Sequence, residues 1–395
     1  MKTVLVVNEL DSTNIGDQAI FSGIESALLE QRCAVLAAGL QSGKWFGGER
    51  PANIAANHTA ASSFAPMKRL KGVLRRLYLP IWTARYLLRA CRDIRRIPND
   101  ALVMIGGGGV LMNNNYHFPL AIFLRTLIAR ICSRSIGFVG VSLGGHLNWM
   151  CRLLIKRSLL SADFVYVRDE ITLSYLRETL KFPSAQIGPD CAFLGQPPAP
   201  TSIPASSTDS VPPEAELSVA INVMENSTGL SAMKFALYRQ FISQLVVQNA
   251  SRVKFIFFTT GWPADHGVAK DLAERLREST NGAVKIEVAH VTNVNSLNLV
   301  LLHADLVIAS RLHSAILSIK LELPPLCLNV SRKNSGFMNS IGLDDLVLDF
   351  TSPPPSLDAL QSMAEANRGK IAEIVRRQRE LGACMLNAVL SCEKQ

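Results

Sequence analysis

A chain of 395 residues with 48% hydrophobic and 18% charged residues is too apolar for intrinsic disorder, and it is long enough for two or three domains of about 150 residues. It lacks the unbroken run of about 20 apolar residues that would predict a membrane-spanning helix. The eight cysteines form no Cys-x-x-Cys pair, so neither disulfides nor structural zinc is expected.

The first half of the chain alternates short apolar strands with helical segments. Strands are predicted at 3–8, 33–40, 101–105, 135–141 and 164–168, with helices at 18–30, 119–132, 149–160 and 171–180. Such alternation is typical of parallel strands joined by helical crossovers, so residues 1–195 are predicted to form a Rossmann-like domain. The first strand is too short for a signal peptide and a polar loop follows it, which favours a cytoplasmic location.

A proline-rich stretch precedes a second domain. Six of the twenty residues 196–215 are proline, so 196–216 is interpreted as a linker. The alternation then resumes, and residues 217–355 are predicted to form a second Rossmann-like domain. Apolar residues at helical spacing predict a terminal helix over 356–395. The predicted fold is therefore α/β, with two Rossmann-like domains facing a cleft in a GT-B-like architecture.

A basic segment at 68–96 accounts for the net charge of +9. It carries ten Lys and Arg residues and one acid, Asp93, among apolar and aromatic residues that include Tyr78, Trp82 and Tyr86. This mixture suits an anionic membrane surface, where the three aromatic rings would lie among the headgroups and hold the protein peripherally at the inner face of the membrane. A solvated helix packing on its own domain is the alternative, and nucleic acid is a competing partner that is not expected.

Ligands of parallel sheets bind beyond the carboxyl ends of strands, so the loops that follow strands carry the candidate residues. The first of these loops contains Asn14, Gly16 and Asp17. Gly16 permits a close approach to the backbone, and all three are candidates for substrate binding. The alternative for Asp17 is that its carboxylate only caps the following helix.

A run of four glycines follows the strand at 101–105 and precedes Asn113, and it is predicted to form the second loop. The glycines are Gly106, Gly107, Gly108 and Gly109. Consecutive backbone N–H groups can bind a phosphate or carboxylate, although the G-x-G-x-x-G spacing of dinucleotide sites is absent. A tight turn is the alternative, but it needs fewer glycines. GVSLGG at 140–145 repeats the pattern after the next strand.

Two further loops place an arginine after a strand. Arg168 lies in Val-Arg-Asp-Glu at 167–170, and Arg311 lies in Ser-Arg-Leu-His-Ser at 310–314. The planar guanidinium suits bidentate capture of carboxylate or phosphate, and an ion pair with a nearby acid is the alternative for Arg168. A lone histidine is usually structural. His313 is nevertheless the histidine favoured for chemistry, because it shares a helix start with Arg311.

Motifs that would indicate other chemistry are absent from the sequence. There is no G-x-x-x-x-G-K-[ST], no H-E-x-x-H and no D-x-D of the kind that holds a metal for nucleotide sugars. The segment GLQSGKW at 39–45 is the nearest to the first of these motifs but does not match it. A mechanism without a metal or cofactor is therefore predicted.

Taken together, these motifs resemble those of the polysaccharide pyruvyl transferase family. Six elements occur in the family's order across most of the chain: N-x-G-D at 14–17, the glycine run with Asn113-Asn114, GVSLGG at 140–145, Val-Arg-Asp-Glu at 167–170, Gly-Pro-Asp-Cys-Ala-Phe at 188–193 and Ser-Arg-Leu-His-Ser at 310–314. The basic segment and the proline-rich linker are not part of that pattern, which leaves the acceptor open.

The resemblance implies a GT-B-like fold and phosphoenolpyruvate as donor substrate. A pyruvyl group would be transferred as a ketal to a sugar of a polysaccharide, such as an exopolysaccharide, or of its lipid-linked precursor. His313 would protonate the donor, while Arg311 and Arg168 hold its phosphate and carboxylate. Further residues expected at the substrate site are Asn14, Gly16, Asp17, Gly106, Gly107, Gly108, Gly109, Asn113, Asp190, Ser310 and Leu312.

Two other functions remain open at this point. A nucleotide-sugar-dependent glycosyltransferase of the same fold would need an acid near Arg311 to hold ribose hydroxyls, and none is evident in the sequence. A non-catalytic binding protein could also retain this fold, since fold does not determine function.

Overall fold

The computed structural model describes residues 1–42, 44–47, 73–113, 116–196, 217–226 and 229–392. These form two compact units. The first comprises Met1–Ser12, Asp17–Gly195 and Gln378–Gln395, and the second comprises Thr13–Gly16 and Gln196–Arg377. Two features differ from the predicted domains. The segment Thr13–Gly16 groups with the second unit, and the terminal helix is divided between the units. Of the predicted linker, residues 197–216 lie outside the described part of the chain.

The first unit contains a sheet with strand order β3-β2-β1-β4-β5-β6-β7 within the described residues. All neighbouring strands are parallel except β3, which is antiparallel to β2. The strands are β1 (Thr3–Asn8), β2 (Ala34–Gly39), β3 (Trp45–Gly47), β4 (Leu102–Leu111), β5 (Ser135–Leu143), β6 (Phe164–Val167) and β7 (Gln186–Ile187). The helices are α1 (Ile15–Glu30), α2 (Val73–Arg96), α3 (His117–Ile131), α4 (Trp149–Leu160) and α5 (Glu170–Ser174), which continues as a π-helical turn over Tyr175–Thr179.

The second unit contains a parallel sheet with strand order β10-β9-β8-β11-β12-β13. Its strands are β8 (Leu217–Asn222), β9 (Val253–Phe258), β10 (Lys285–Val288), β11 (Leu306–Ala309), β12 (Pro325–Leu328) and β13 (Val347–Leu348). Its helices are α6 (Ala232–Gln248), α7 (Ala264–Ser279), α8 (Val294–Leu302), α9 (Leu312–Lys320) and α10 (Arg332–Ser340), with α11 (Leu357–Ser391) shared between the units. The predicted α/β class with two parallel-sheet domains is confirmed.

The glycine run lies inside a strand, so the predicted loop is wrong. Strand β4 continues through it, and Gly106 pairs with Val139 of β5. A Cβ atom on Gly107 would lie 2.1 Å from Ile20, and one on Gly106 would lie 2.6 Å from Ile24, both on α1. Glycine is therefore required here because α1 packs directly against the strand backbone.

Helices α2, α3 and α4 cover one face of the first sheet. Their inward residues join the strands in one hydrophobic core, and α3 packs against both α2 and α4. Arg125 of α3 is fully buried in this layer. Its Nη2 lies 2.6 Å from Oδ2 of Asp93, and its Nε donates to the Tyr86 hydroxyl at 3.3 Å.

This packing overturns part of the prediction for the basic segment. Tyr86 is only 2% exposed, and Trp82 stacks on Tyr86 and packs against the same core. These two rings are therefore core residues, and the expectation that they lie among lipid headgroups is wrong. Residues 68–72 and the side chain of Tyr78 lie outside the described part. None of the described helices is long and apolar enough to cross a membrane.

Each of the eight cysteines lies within the described residues and is an unpaired thiol. Seven are on helices or strands of the first unit or next to them, and burial raises the pKa of Cys191 well above its ordinary value. The buried thiols of Cys33, Cys151, Cys191 and Cys327 pack as small apolar side chains, whereas Cys384 is exposed.

We expect Asp93→Ala to destabilise the first unit by about 3–5 kcal/mol, because it leaves the buried Arg125 charge unpaired. The double variant Asp93→Ala/Arg125→Met should recover most of this loss, since it removes both charges. Thermal unfolding of the wild type and both variants measures the difference. Equal destabilisation by the single and double variants would contradict this account.

Candidate functional site

In each sheet the strand order reverses at one point, between β1 and β4 in the first and between β8 and β11 in the second. Ligands of open α/β sheets bind beyond the carboxyl ends of the strands at such a point. The glycine run belongs to β4, and Arg311 and His313 directly follow β11. The predicted site residues therefore form two groups, one in each unit.

Asn222, fully buried at the end of β8, holds the loop that follows β11. Its Oδ1 accepts the Arg311 backbone N–H at 2.9 Å and the Ser314 hydroxyl at 3.0 Å. Its backbone carbonyl accepts the hydroxyls of Ser310 and Tyr238. Burial raises the pKa of Tyr238 to about 12, so its hydroxyl keeps its proton. Ser310 is itself fully buried, so the structure places it as a support for the loop and not at a ligand surface.

Asp265 orients the guanidinium of Arg311. The Nη2 of Arg311 donates to Oδ1 of Asp265 at 2.7 Å, and the same oxygen accepts the Glu225 backbone N–H at 2.8 Å. The Asp265 side chain is 2% exposed, whereas that of Arg311 is 23% exposed. The expectation that no acid lies near Arg311 is therefore wrong. Asp265 lies in the first turn of α7, the helix after β9, so attention to every loop that follows a strand would have made it a candidate, although not a partner of Arg311.

His313 packs against the backbone of Gly16. A Cβ atom on Gly16 would lie 2.1 Å from the Nδ1 of His313, so any other residue here would displace the imidazole ring. Gly16 is thus required by the histidine, and the Asn14–Gly16 part of N-x-G-D meets the Ser-Arg-Leu-His-Ser motif within the second unit. Leu312, the first residue of α9, is half-buried beside them.

Backbone contacts hold the Gly16 segment in place. Asn14 forms an isolated β-bridge with Gly261, and the Ile15 N–H donates to the Thr260 carbonyl at 2.9 Å. The Oδ1 of Asn14 accepts the Gly16 N–H at 3.0 Å. Asn14 therefore caps the start of α1, whereas the capping role considered for Asp17 is not observed.

In the first unit Arg168 forms an ion pair with Asp190. Its Nη1 lies 2.7 Å from Oδ2 of Asp190, and the two side chains are 7% and 2% exposed. The other Asp190 oxygen accepts the Ala192 N–H. This is the ion pair that the sequence left open as the alternative for Arg168. Burial raises the pKa of Asp17, against the opposing effects of a hydrogen bond with Ser12 and the charge of Arg168.

Asn113 connects two loops. Its Nδ2 donates to the His146 carbonyl at 2.7 Å, and its Oδ1 accepts the Asn148 N–H at 2.9 Å. Both ends of the amide are thus engaged with backbone from the loop after β5. Asn113 holds the two loops together, and the neighbouring Asn114 lies outside the described residues.

Glu9 was not predicted, although it directly follows β1 at the point where the first sheet reverses. Burial, with smaller effects from Asp17 and Asp11, raises its pKa to about 8, and the Gln41 N–H donates to its Oε1 at 2.9 Å. Glu9 therefore holds its proton at neutral pH. Across the described residues, no group of three or more His, Cys, Asp or Glu side chains is arranged to hold a metal ion.

A model of the polysaccharide pyruvyl transferase family matches residues 14–332, from Asn14 through Arg311 and His313. The chain belongs to this family. Its fold is similar to that of trehalose-6-phosphate synthase OtsA, with a TM-score of 0.59 and 11% identity over 100% of each chain. An E. coli trehalose-6-phosphate structure bound with UDP-2-fluoro glucose gives a TM-score of 0.58 at 12% identity, again over 100% of each chain.

The N-terminal domain of Candida albicans trehalose-6-phosphate phosphatase is also similar, with a TM-score of 0.57 and 10% identity over 99% of each chain. At these identities the similarity concerns the fold alone. It confirms the predicted GT-B-like fold class.

We expect Gly16→Ala to lower pyruvyl transfer by about 100-fold, because the new methyl group would occupy the position of the His313 ring. Gly369→Ala is the matched control, since a Cβ atom there meets no atom within 4 Å. Turnover and melting temperature should be measured for both variants. Full turnover by a folded Gly16→Ala protein would show that His313 does not depend on this contact.

Proposed function

We propose that this pyruvyl transferase takes its pyruvyl group from phosphoenolpyruvate and attaches it to a sugar as a ketal, with the donor at Arg311 and His313. The observation that supports this most is the convergence of Gly16, Arg311 and His313 at the point where the second sheet reverses. A cation and an ionisable ring are placed there side by side at the start of a helix.

The charges of this group suit a small, strongly anionic donor. Phosphoenolpyruvate carries a carboxylate and a phosphate, and the Arg311 side chain is 23% exposed while Asp265 holds one of its guanidinium nitrogens. The start of α9 adds the positive end of a helix dipole, with no side chain capping it. We therefore assign Arg311 and the start of α9 to binding the donor's anionic groups.

The reaction begins when His313 donates a proton to the methylene carbon of the donor, which becomes a methyl group. The adjacent carbon gains oxocarbenium character, and a sugar hydroxyl attacks it and loses its proton. The C–O bond to phosphate then breaks, inorganic phosphate leaves, and a second hydroxyl attacks the same carbon and loses its proton. One proton returns to His313 and the other is taken up by phosphate, so the reaction balances without an oxidant or cofactor.

Arg168 has a different role in this proposal from the one expected from the sequence. The Arg168 side chain is nearly buried and paired with Asp190. We therefore assign Arg168 to positioning Asp190 and to stabilising the ionised form of Asp17. The acceptor is a sugar with two suitably spaced hydroxyls, either free or lipid-linked.

We expect phosphoenolpyruvate to raise the melting temperature of the wild type. At a donor concentration of 100 times its dissociation constant, the folded state should gain about 2.7 kcal/mol of stability. Arg311→Ala should abolish this shift. Arg275→Ala is the matched control, because Arg275 is a surface arginine of the same unit, paired with Asp271. Stabilisation by uridine diphosphate instead of phosphoenolpyruvate would favour the nucleotide-sugar glycosyltransferase.

We expect His313→Ala to lower ketal formation by about 100- to 10,000-fold, the usual contribution of a general acid, while donor binding persists. His303→Ala, at an exposed histidine of the same unit, should have no effect. The assay incubates enzyme and phosphoenolpyruvate with extracted lipid-linked oligosaccharides and detects the ketal by mass spectrometry. A loss smaller than about tenfold would exclude His313 as the proton donor. Absence of ketal and phosphate with every acceptor would favour a binding protein.

A further inference from the structure

Helices α2, α3 and α4 are nearly devoid of acidic residues. Together they carry twelve Lys and Arg residues and one acid, Asp93. Asp93 is buried and its charge is taken up by Arg125, which is also buried. Within the described residues, the outer surface of these helices therefore carries an excess of cations; one of them, Arg130, is paired with Asp163, which lies just after α4.

The three helices form one continuous layer. Trp82 of α2 meets His117 at the start of α3 edge to face. At the other end, Arg130 of α3 donates to the Ser161 carbonyl just after α4, and Arg134 donates to the Ile97 carbonyl just after α2. Contacts at both ends thus bring the outward residues of all three helices onto the same surface.

This surface also exposes large apolar side chains among its arginines. Leu88 of α2 is 67% exposed, Ile131 of α3 is 72% exposed, and Trp149 and Leu160 of α4 are 72% and 57% exposed. Ile81, Leu127 and Leu153 extend the pattern along the helices. A water-exposed surface has no reason to combine so many apolar side chains with an excess of cations.

We propose that the outer face of α2, α3 and α4 binds an anionic membrane surface. The arginines match lipid phosphates, and the apolar side chains enter the boundary between headgroups and acyl chains. Nucleic acid would satisfy the arginines but leave Leu88, Ile131 and Leu160 in water. A second copy of the same face would oppose arginine with arginine. The residues that contact lipid are therefore these exposed leucines and isoleucines, not the core rings Trp82 and Tyr86.

Vesicle sedimentation with the full chain tests this surface without donor or acceptor. Vesicles of phosphatidylcholine alone and of phosphatidylcholine with phosphatidylglycerol are compared at low and high salt. A charge variant replaces four exposed arginines of α2 and α4: Arg85→Gln, Arg92→Gln, Arg95→Gln and Arg157→Gln. An apolar variant carries Leu88→Ser, Ile131→Ser and Leu160→Ser. Each variant has a matched control at exposed positions of the second unit. The control for the charge variant carries Arg275→Gln and Arg368→Gln, and the control for the apolar variant carries Met233→Ser and Leu299→Ser.

We expect the wild type and both controls to sediment with the anionic vesicles at low salt and to be released at high salt. The charge variant should bind at least about tenfold more weakly, and the apolar variant should also lose binding at unchanged melting temperature. Equal sedimentation of all proteins would overturn the proposal. The proposal would also be overturned if the wild type and the apolar variant were both retained on a DNA duplex and neither bound vesicles. It would be overturned as well if the wild type formed a dimer that dissociates in the apolar variant.

Discussion

The second unit depends on one buried amide, that of Asn222 at the end of β8. Its Oδ1 accepts the Arg311 N–H and the Ser314 hydroxyl, and its Nδ2 donates to the Phe258 carbonyl of β9. One side chain thus connects the ends of three adjacent strands at the reversal of the sheet. A buried polar group must be hydrogen-bonded throughout, so this network permits a single arrangement of the loop after β11. The directions of Arg311 and His313 follow from that arrangement.

Close backbone approaches complete the placement of functional groups. The His313 ring occupies the space that a side chain on Gly16 would need, and Ile20 occupies the space above Gly107. The two glycines have different consequences. Gly107 allows α1 to pack on a strand and serves the core, whereas Gly16 brings the start of α1 against the His313 imidazole. Glycine alone permits both contacts because it has no Cβ atom.

Three arginine–aspartate pairs have similar geometry but differ in the burial of the arginine. Arg125–Asp93, Arg168–Asp190 and Arg311–Asp265 have similar nitrogen–oxygen distances of 2.6, 2.7 and 2.7 Å. The arginine side chains are 0%, 7% and 23% exposed, respectively. The first pair is enclosed in the core, the second is nearly enclosed, and the arginine of the third keeps part of its side chain exposed. An unpaired buried charge is costly, so each aspartate holds its arginine while exposure decides what the arginine can do.

The sequence alone predicts the α/β class, most strands and the position of Arg311 and His313 just after a strand, because these depend on local apolar periodicity and chain order. It also placed the family motifs in their order. It could not show that β4 continues through the glycines, since that depends on the packing of α1. Nor could it find Asp265 beside Arg311, 46 positions apart in the chain, or show Tyr86 to be a core residue within a basic segment. These were decided by the tertiary structure, because which charges are paired and which rings are buried depends on contacts between elements distant in sequence.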